Sequence, residues 1–292
     1  MCWTCGGDMA RYKLSYINRA RDAALSGGAW ASTLPLNNAI RGSVSRVARS
    51  VNAAATSTQF AVDLGRARPI DLIGLIRHNC TPAAQIRVTA GTVPSGADLY
   101  DSGWASVWPE IYQTEDLEWE DDNWWTGTVD VEDIDVTRVD FFKVLPGFVS
   151  GRYWSVYIDD EGNTSGYVQF GALWLGPTWT PDVNPSYGAS YNWTDPSEVE
   201  KTLGGAAVVD ERPAYREHSV TFEALTDAEA FGKIEEIQRR LGVSGELVLL
   251  PDVDDIARAH KRNIFCRLKP SPVEFNIYGR QKTSFTFEEV VG

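Results

Sequence analysis

The apolar residues of this chain fall in short runs cut off by Gly, Pro, Asn and Asp, a punctuation that favours strands over helices. Phe60-Ala61-Val62-Asp63-Leu64 alternates and stops at Gly65. Ile70 to Ile76 is apolar at nearly every position, as a strand covered on both faces would be. Ile86 to Ala90 alternates again, and Val136 to Val144 supplies a further strand. The runs Tyr153 to Ile158 and Tyr167 to Leu175 flank Asp159-Asp160-Glu161-Gly162-Asn163-Thr164-Ser165-Gly166, whose residue types suit a chain reversal, so they read as a hairpin. One expected face holds Trp154, Val156 and Ile158, and another Val168, Phe170, Ala172 and Trp174. That much apolar surface needs a second sheet, which predicts a β-sandwich over residues 16–177.

Beyond it, four prolines between Gly176 and Pro196 argue against regular structure and mark residues 178–214 as a linker, with Trp179, Tyr187, Tyr191 and Trp193 laid against something. Residues 215–292 read differently. Val220 to Ala224 is a strand, and Thr226-Asp227-Ala228-Glu229 has the spacing of a capping box. The helix it opens is expected to bury Phe231, Ile234, Ile237 and Leu241 and to stop at Gly242. Leu247 to Leu250, Ile264 to Leu268, Val273 to Ile277 and Thr283 to Val290 are further strands, the last two a closing pair. The expected fold is mainly β: a sandwich followed by a smaller α+β domain with one main helix. Residues 1–15 read as a flexible N-terminus.

With 292 residues, 43% of them apolar and 11% aromatic, the chain can pack two domains and does not resemble a disordered one. Its net charge of -13 belongs to one segment: Val88 to Thr137 holds thirteen acidic side chains and no Lys or Arg, while the rest balances at 27 against 27. An acidic chain lacks the Lys and Arg cluster that displaces counterions from nucleic acid, so nucleic acid is not expected as a partner. No run reaches the roughly 18 apolar residues of a membrane span, and membrane insertion is not expected either. The start of the chain lacks the order of a secretory signal, which predicts synthesis in the cytosol.

The acidic segment also holds Trp104, Trp108, Trp119, Trp124 and Trp125. These rings, with the strand-end pair His78 and Asn79, are the candidate binding residues, for a glycan or for a neighbouring subunit. Trp faces stack on sugar CH groups while Asp and Asn accept hydroxyl bonds. Crowded carboxylates such as Glu118 and Glu120 fit a glycan hydrolase less well, because catalytic acids are held apart on rigid elements. No His-Glu-x-x-His, Gly-x-Ser-x-Gly or phosphate-loop motif occurs, so no cofactor and no enzymatic activity are expected. Asp159, Asp160 and Asn163 resemble part of a calcium loop without its full spacing, and read first as a plain turn. Cys2 and Cys5 form a C-x-x-C pair that Cys80 and Cys266 would extend to four thiolates; two buried apolar cysteines and a frayed pair explain them as well.

The stretches 60–65, 70–80 and 86–88, with 153–160 and 166–176, resemble the strands of galactose-binding-like jelly rolls of the discoidin type. Their arrangement ahead of a Pro-rich linker and a domain opening His218-Ser219-Val220-Thr221-Phe222 resembles the minor and distal tail proteins of long-tailed bacteriophages. That resemblance implies a structural, non-catalytic tail-tip or baseplate component of the virion, made in the host bacterial cytoplasm. It implies a hexamer or trimer whose ring is formed by the second domain, with tail tube, tail hub and fibres as partners. A host-surface carbohydrate-binding adhesin is the alternative.

Overall fold

The computed structural model describes residues 12–108, 139–201, 207–256, 258–269, 273–277 and 280–291, together with 112, 118–120, 124, 127, 128 and 204. The first strands in chain order are β1 (Lys13–Ser15), β2 (Ala24–Ser26), β3 (Ala48–Arg49), β4 (Phe60–Ile76), β5 (Gln85–Gly91), β6 (Tyr100–Asp101), β7 (Ala105–Ser106), β8 (Asp140–Asp159), β9 (Gln169–Phe170) and β10 (Ala172–Gly176). They are followed by β11 (Ser190–Thr194), β12 (Glu198–Lys201), β13 (Ala207–Asp210), β14 (Tyr215–Leu225), β15 (Glu246–Leu250), β16 (Ile264–Lys269), β17 (Val273–Ile277) and β18 (Arg280–Glu289). The protein is mainly β and divides into two compact units, one of residues 17–179 with 252–263, the other of 12–16, 180–251 and 264–291.

The first unit is the sandwich. Its main sheet runs β10-β4-β8-β5-β6, all antiparallel, with β2 added to β4 and β7 to β5, while β3 pairs separately with β9. The expected strands 60–64 and 70–76 form the single bent β4, and the strand around Val144 joins Tyr153 to Ile158 as β8. The β4–β8 register jumps between Asp63 and Arg68 and again between Ile70 and Leu72, which bends both ribbons. Gly65 sits at the first jump with φ +72, a backbone that glycine adopts without strain, and its N–H bonds Asp63 Oδ1 at 2.8 Å. One half of β4 therefore pairs with β2 and the other with β10. Phe60, Val62, Ile73, Leu75, Ile86, Val88, Trp154, Val156, Phe170 and Leu173 fill the core between the layers.

The hairpin expected from 153–158 and 167–175 does not form. β8 pairs with β4 and β5 instead, while the chain after the turn feeds β9 and β10. The single apolar face expected over Val168, Phe170, Ala172 and Trp174 is also broken. At Gly171 a Cβ would meet Val44 O at 2.5 Å; from there on Leu173 and Leu175 face the core cluster, and Trp174 is buried outside it.

In the second unit one sheet runs β1-β15-β16-β18-β14-β11, with β17 paired to β18. Residues 13–15, expected to be flexible, form β1 against Lys13↔Leu250 to Ser15↔Val248; residues 1–11 lie outside the described ones. The capping box is present: Thr226 Oγ1 accepts from Glu229 N, and Glu229 Oε2 accepts from Thr226 N at 3.0 Å. The helical run continues as the π-helical Ala230–Ile234 and then Glu235–Leu241, ending at Gly242 with φ 53. Its buried stripe is Ala230, Ile234, Ile237 and Leu241, so the cap register turns Phe231, expected inside, out to 45% exposure. The stretch expected to be a structureless linker holds β11, an edge strand on β14, and β12–β13, a separate two-stranded ribbon. The prolines flank these strands rather than entering them.

Candidate functional site

The expected site residues separate sharply. Trp108 is 4% exposed and belongs to the sandwich core, its indole N–H donating to Cys80 O at 3.0 Å, so it is no ligand platform. His78 packs edge-on against it with ring centroids 5.9 Å apart, and its Nδ1 accepts from Cys80 N at 3.2 Å. Burial holds the imidazole neutral, its pKa pushed down to about 3. Asn79 is spent on the backbone: Nδ2 donates to Tyr167 O at 3.0 Å and Oδ1 accepts from Gln169 N at 2.7 Å. Both residues brace the end of β4 through these bonds. Trp104 and Trp119 are exposed, Trp124 is half-buried, and Trp125 lies outside the described residues.

The acidic turn is equally committed. Asp160 accepts from Thr81 N at 3.1 Å, Thr81 Oγ1 at 2.5 Å and Asn163 Nδ2 at 2.7 Å, and Asn163 also donates to Asn79 O at 2.9 Å. Those bonds tie the turn to the end of β4 and use both Asp160 oxygens, while Asp159 is exposed. Among the described residues no three His, Cys, Asp or Glu side chains gather as metal ligands. Cys80 is buried in the sandwich, where desolvation and then the Asp160 charge push its thiol pKa up. Cys266 is buried in the other unit, and Cys2 and Cys5 lie outside the described residues.

What remains is a face built by β5 and its outer edge. β6 pairs with β5 through Thr89↔Asp101, and β7 through Ile86↔Ala105. Between them Ser102-Gly103-Trp104 leaves the ladder. Gly103 takes φ +60, its N–H donates to Asp101 Oδ1 at 2.9 Å, and Ser102 Oγ accepts from Val88 N at 2.9 Å. This small bulge holds Trp104 at 48% exposure. Beside it Arg87 grips Asp101 with a fork, Nε to Oδ1 at 2.9 Å and Nη2 to Oδ2 at 2.5 Å. Those bonds, and then the Gly103 N–H, lower the Asp101 pKa to about 2.

No protein-family model matches the chain, and no curated protein matches it. Solved structures do. A family 32 module of Clostridium perfringens NanJ in complex with galactose matches at 11% identity and TM-score 0.36, over 57% of this chain and 99% of that one. A second C. perfringens module, in complex with GlcNAc-α-1,4-galactose, matches at 15% identity and TM-score 0.35, over 60% and 100%. A chitosan-binding module from Paenibacillus sp. IK-5, in complex with chitotriose, matches at 15% and 0.34, over 55% and 100%. Likenesses this distant transfer neither ligand nor residue roles, and the site stands on its own geometry.

Further inward on the same face, Thr89 is 2% exposed and Ser155 lies opposite it on β8. The Thr89 hydroxyl has no hydrogen-bond partner, an uncommon state for a buried polar atom. Of these groups the sequence marks Trp104 but neither Arg87 nor Asp101. The one available signal was Arg87 as the last basic residue before the acidic segment.

Proposed function

We propose that the chain is a non-catalytic carbohydrate-binding protein that meets sugar with the β5 edge of its sandwich. The observation that carries this reading is the half-exposed Trp104 beside the Arg87–Asp101 fork. An indole face offers an apolar plane to the CH side of a pyranose, and a fixed guanidinium–carboxylate pair offers donors and acceptors in one plane for adjacent hydroxyls. Both charged groups are already ordered by each other and by Gly103, so little entropy remains to be lost on binding. Titration of neutral oligosaccharides followed by tryptophan fluorescence tests it. Saturable quenching that disappears in Trp104→Ala supports the reading; no response to any glycan on an array ends it.

A second reading is the structural one, a tail-tip component of a bacteriophage virion contacting tube, hub and fibre proteins. What favours it is the run of exposed apolar side chains in the second unit: Tyr187, Trp193, Val199, Val208 and Val209. Micrographs of virions carrying a label on this chain decide it, since label absent from the tail tip excludes the role. The hydrolase reading has little to stand on. Glu118 and Glu120 are exposed, whereas a general acid works from an apolar pocket.

A further inference from the structure

The outer face of the main sandwich sheet is shaped as a trough that crosses its strands. Alternation along β5, β8 and β4 puts Val88, Ala90, Val156 and Val62 in the core and their neighbours on the outside. The register aligns those neighbours in three rows: Thr89, Ser155 and Ala61 in the middle, Arg87 and Tyr157 on one side, Tyr153 and Asp63 on the other. The middle row is short and low, with Thr89 and Ser155 only 2% and 4% exposed. The two tyrosines are half-buried and four residues apart on β8, so walls about 13 Å apart flank a floor of two hydroxyls and the Ala61 methyl group.

Each wall is braced by an arginine that is itself forked on a carboxylate. The Arg87 guanidinium, which grips Asp101, lies 6.0 Å from the Tyr157 ring centre. That of Arg152 lies 4.7 Å from the Tyr153 ring centre and grips Asp63, Nε to Oδ1 at 2.8 Å and Nη2 to Oδ2 at 2.9 Å. The Arg152 bonds, and then the Gly65 N–H, hold the Asp63 carboxyl down at about 2, so it stays ionised as Asp101 does. Four charges cancel in two pairs, and the trough presents no net charge. Its floor opens at one end on Asp101, opposite Thr89 and beside Trp104, and at the other on the exposed Ser26 of β2, opposite Ala61. From β6 to β4 it covers three strand intervals, about 14 Å, which is longer than one pyranose ring. Among the described residues the Thr89 hydroxyl in this floor has no partner, so the protein leaves that bond to be made by something else.

We infer that a neutral, linear oligosaccharide lies along this trough, with one unit at Trp104 and the following units crossing β5, β8 and β4 between Tyr157 and Tyr153. Sugar CH groups meet the tyrosine rings, and sugar hydroxyls meet Thr89 and Ser155 on the floor. A charged chain is disfavoured, because every guanidinium along the walls already has its carboxylate. The inference rests on the carbohydrate reading of the Trp104 edge and adds a substrate class to it: the interior of a chain rather than a single sugar.

The test is calorimetric titration of the full chain with β-1,4-linked glucose, galactose and N-acetylglucosamine oligomers, each from monomer to hexamer, with circular dichroism as the control on folding. Affinity should climb with length, the hexamer of the recognised sugar binding at least about tenfold more tightly than its monomer. Ala61→Arg fills the floor beyond Ser155 without removing a contact, and should erase that gain while the monomer still binds. Tyr153→Ala should lower the hexamer's affinity by about tenfold, and Tyr153→Phe, which keeps the ring, should restore it. A monomer bound as tightly as the hexamer, or a folded Ala61→Arg protein that holds the hexamer as the wild type does, overturns the trough and leaves the Trp104 edge standing. A wild type that binds none of these oligomers also overturns the trough, and the glycan array then decides the Trp104 reading separately. Ala61→Arg changes a side chain on the outer face alone, so its result is decisive even where Tyr153→Ala loses its fold.

Discussion

The same chemical pair, an arginine fork on a carboxylate, occurs in both units, exposed in the sandwich at Arg87–Asp101 and Arg152–Asp63 and buried in the second unit at Arg216–Glu289, and it serves opposite ends. Arg216 and Glu289 lie inside the second unit with side chains 6% and 0% exposed; Nη2 meets Oε1 at 2.6 Å, and Nε and the Arg216 backbone N–H both meet Oε2 at 3.0 Å. Arg87 and Asp101 make the same fork with both side chains 36% exposed. Burial converts identical geometry into different obligations. The inner pair satisfies charges that nothing else could reach, while the outer pair has lone pairs and N–H groups left for a visitor.

The largest effect should come from breaking the inner pair. Arg216→Met leaves Glu289 buried without its counterion, a change that costs about 3–5 kcal/mol. Urea unfolding of the variant checks it, and an unchanged midpoint would mean that water reaches Glu289. Asp160→Ala should come next, at about 1–3 kcal/mol, because the Thr81 N–H, the Thr81 hydroxyl and Asn163 lose a shared acceptor. The sandwich should lose this stability while the second unit keeps its own, which separate probes of the two units would read.

How far the sequence led can be judged on these same elements. The alternation of Phe60 to Leu64 and Ile86 to Ala90 placed the sandwich strands, since each has one face in a core. It could not join 60–64 to 70–76, because a bend made by a register jump looks in sequence like a break between two strands. Trp104 and Trp108 sit four residues apart in one acidic segment, and it is the fold, which packs Trp108 against His78 and brings the Cys80 carbonyl to its indole N–H, that separates the exposed ring from the buried one. The ribbon β12–β13 was illegible for a simpler reason. Neither face is buried in its own unit, so no core face imprints a pattern.

The histidines carry the comparison of buried and exposed groups into pH. Burial lowers His78 to about 3 and His218, despite the raising effect of its bond with Ser190 O, to about 4. Both native values lie below the unfolded value near 6.5, so the unfolded chain takes up protons first as pH falls. Their contribution is complete above pH 6.5 and declines below it, by up to about 1.4 kcal/mol per pH unit for each histidine, until the folded pKa is reached. His78→Asn, which keeps an acceptor for the Cys80 N–H, should flatten the decline of the sandwich between pH 6.5 and the carboxylate range. A slope unchanged by that substitution would assign the decline to other groups.

The smallest stability effect belongs to the outer fork, and its smallness is what sharpens the comparison. Arg87→Ala removes a guanidinium that solvent already screens, so the unfolding midpoint should stay where it is. Ligand binding should respond strongly, because Asp101 then loses the partner that fixes its plane and the sugar loses the fork's remaining donors. A loss of at least about tenfold in oligosaccharide affinity with no change in stability identifies a group kept for contact. Arg87→Lys restores the charge without the planar fork, and should recover little of the binding. If lysine restores affinity in full, charge alone suffices and the paired geometry at Asp101 is incidental. If instead Arg87→Ala unfolds the sandwich, the outer pair is structural after all and the contrast with Arg216–Glu289 collapses.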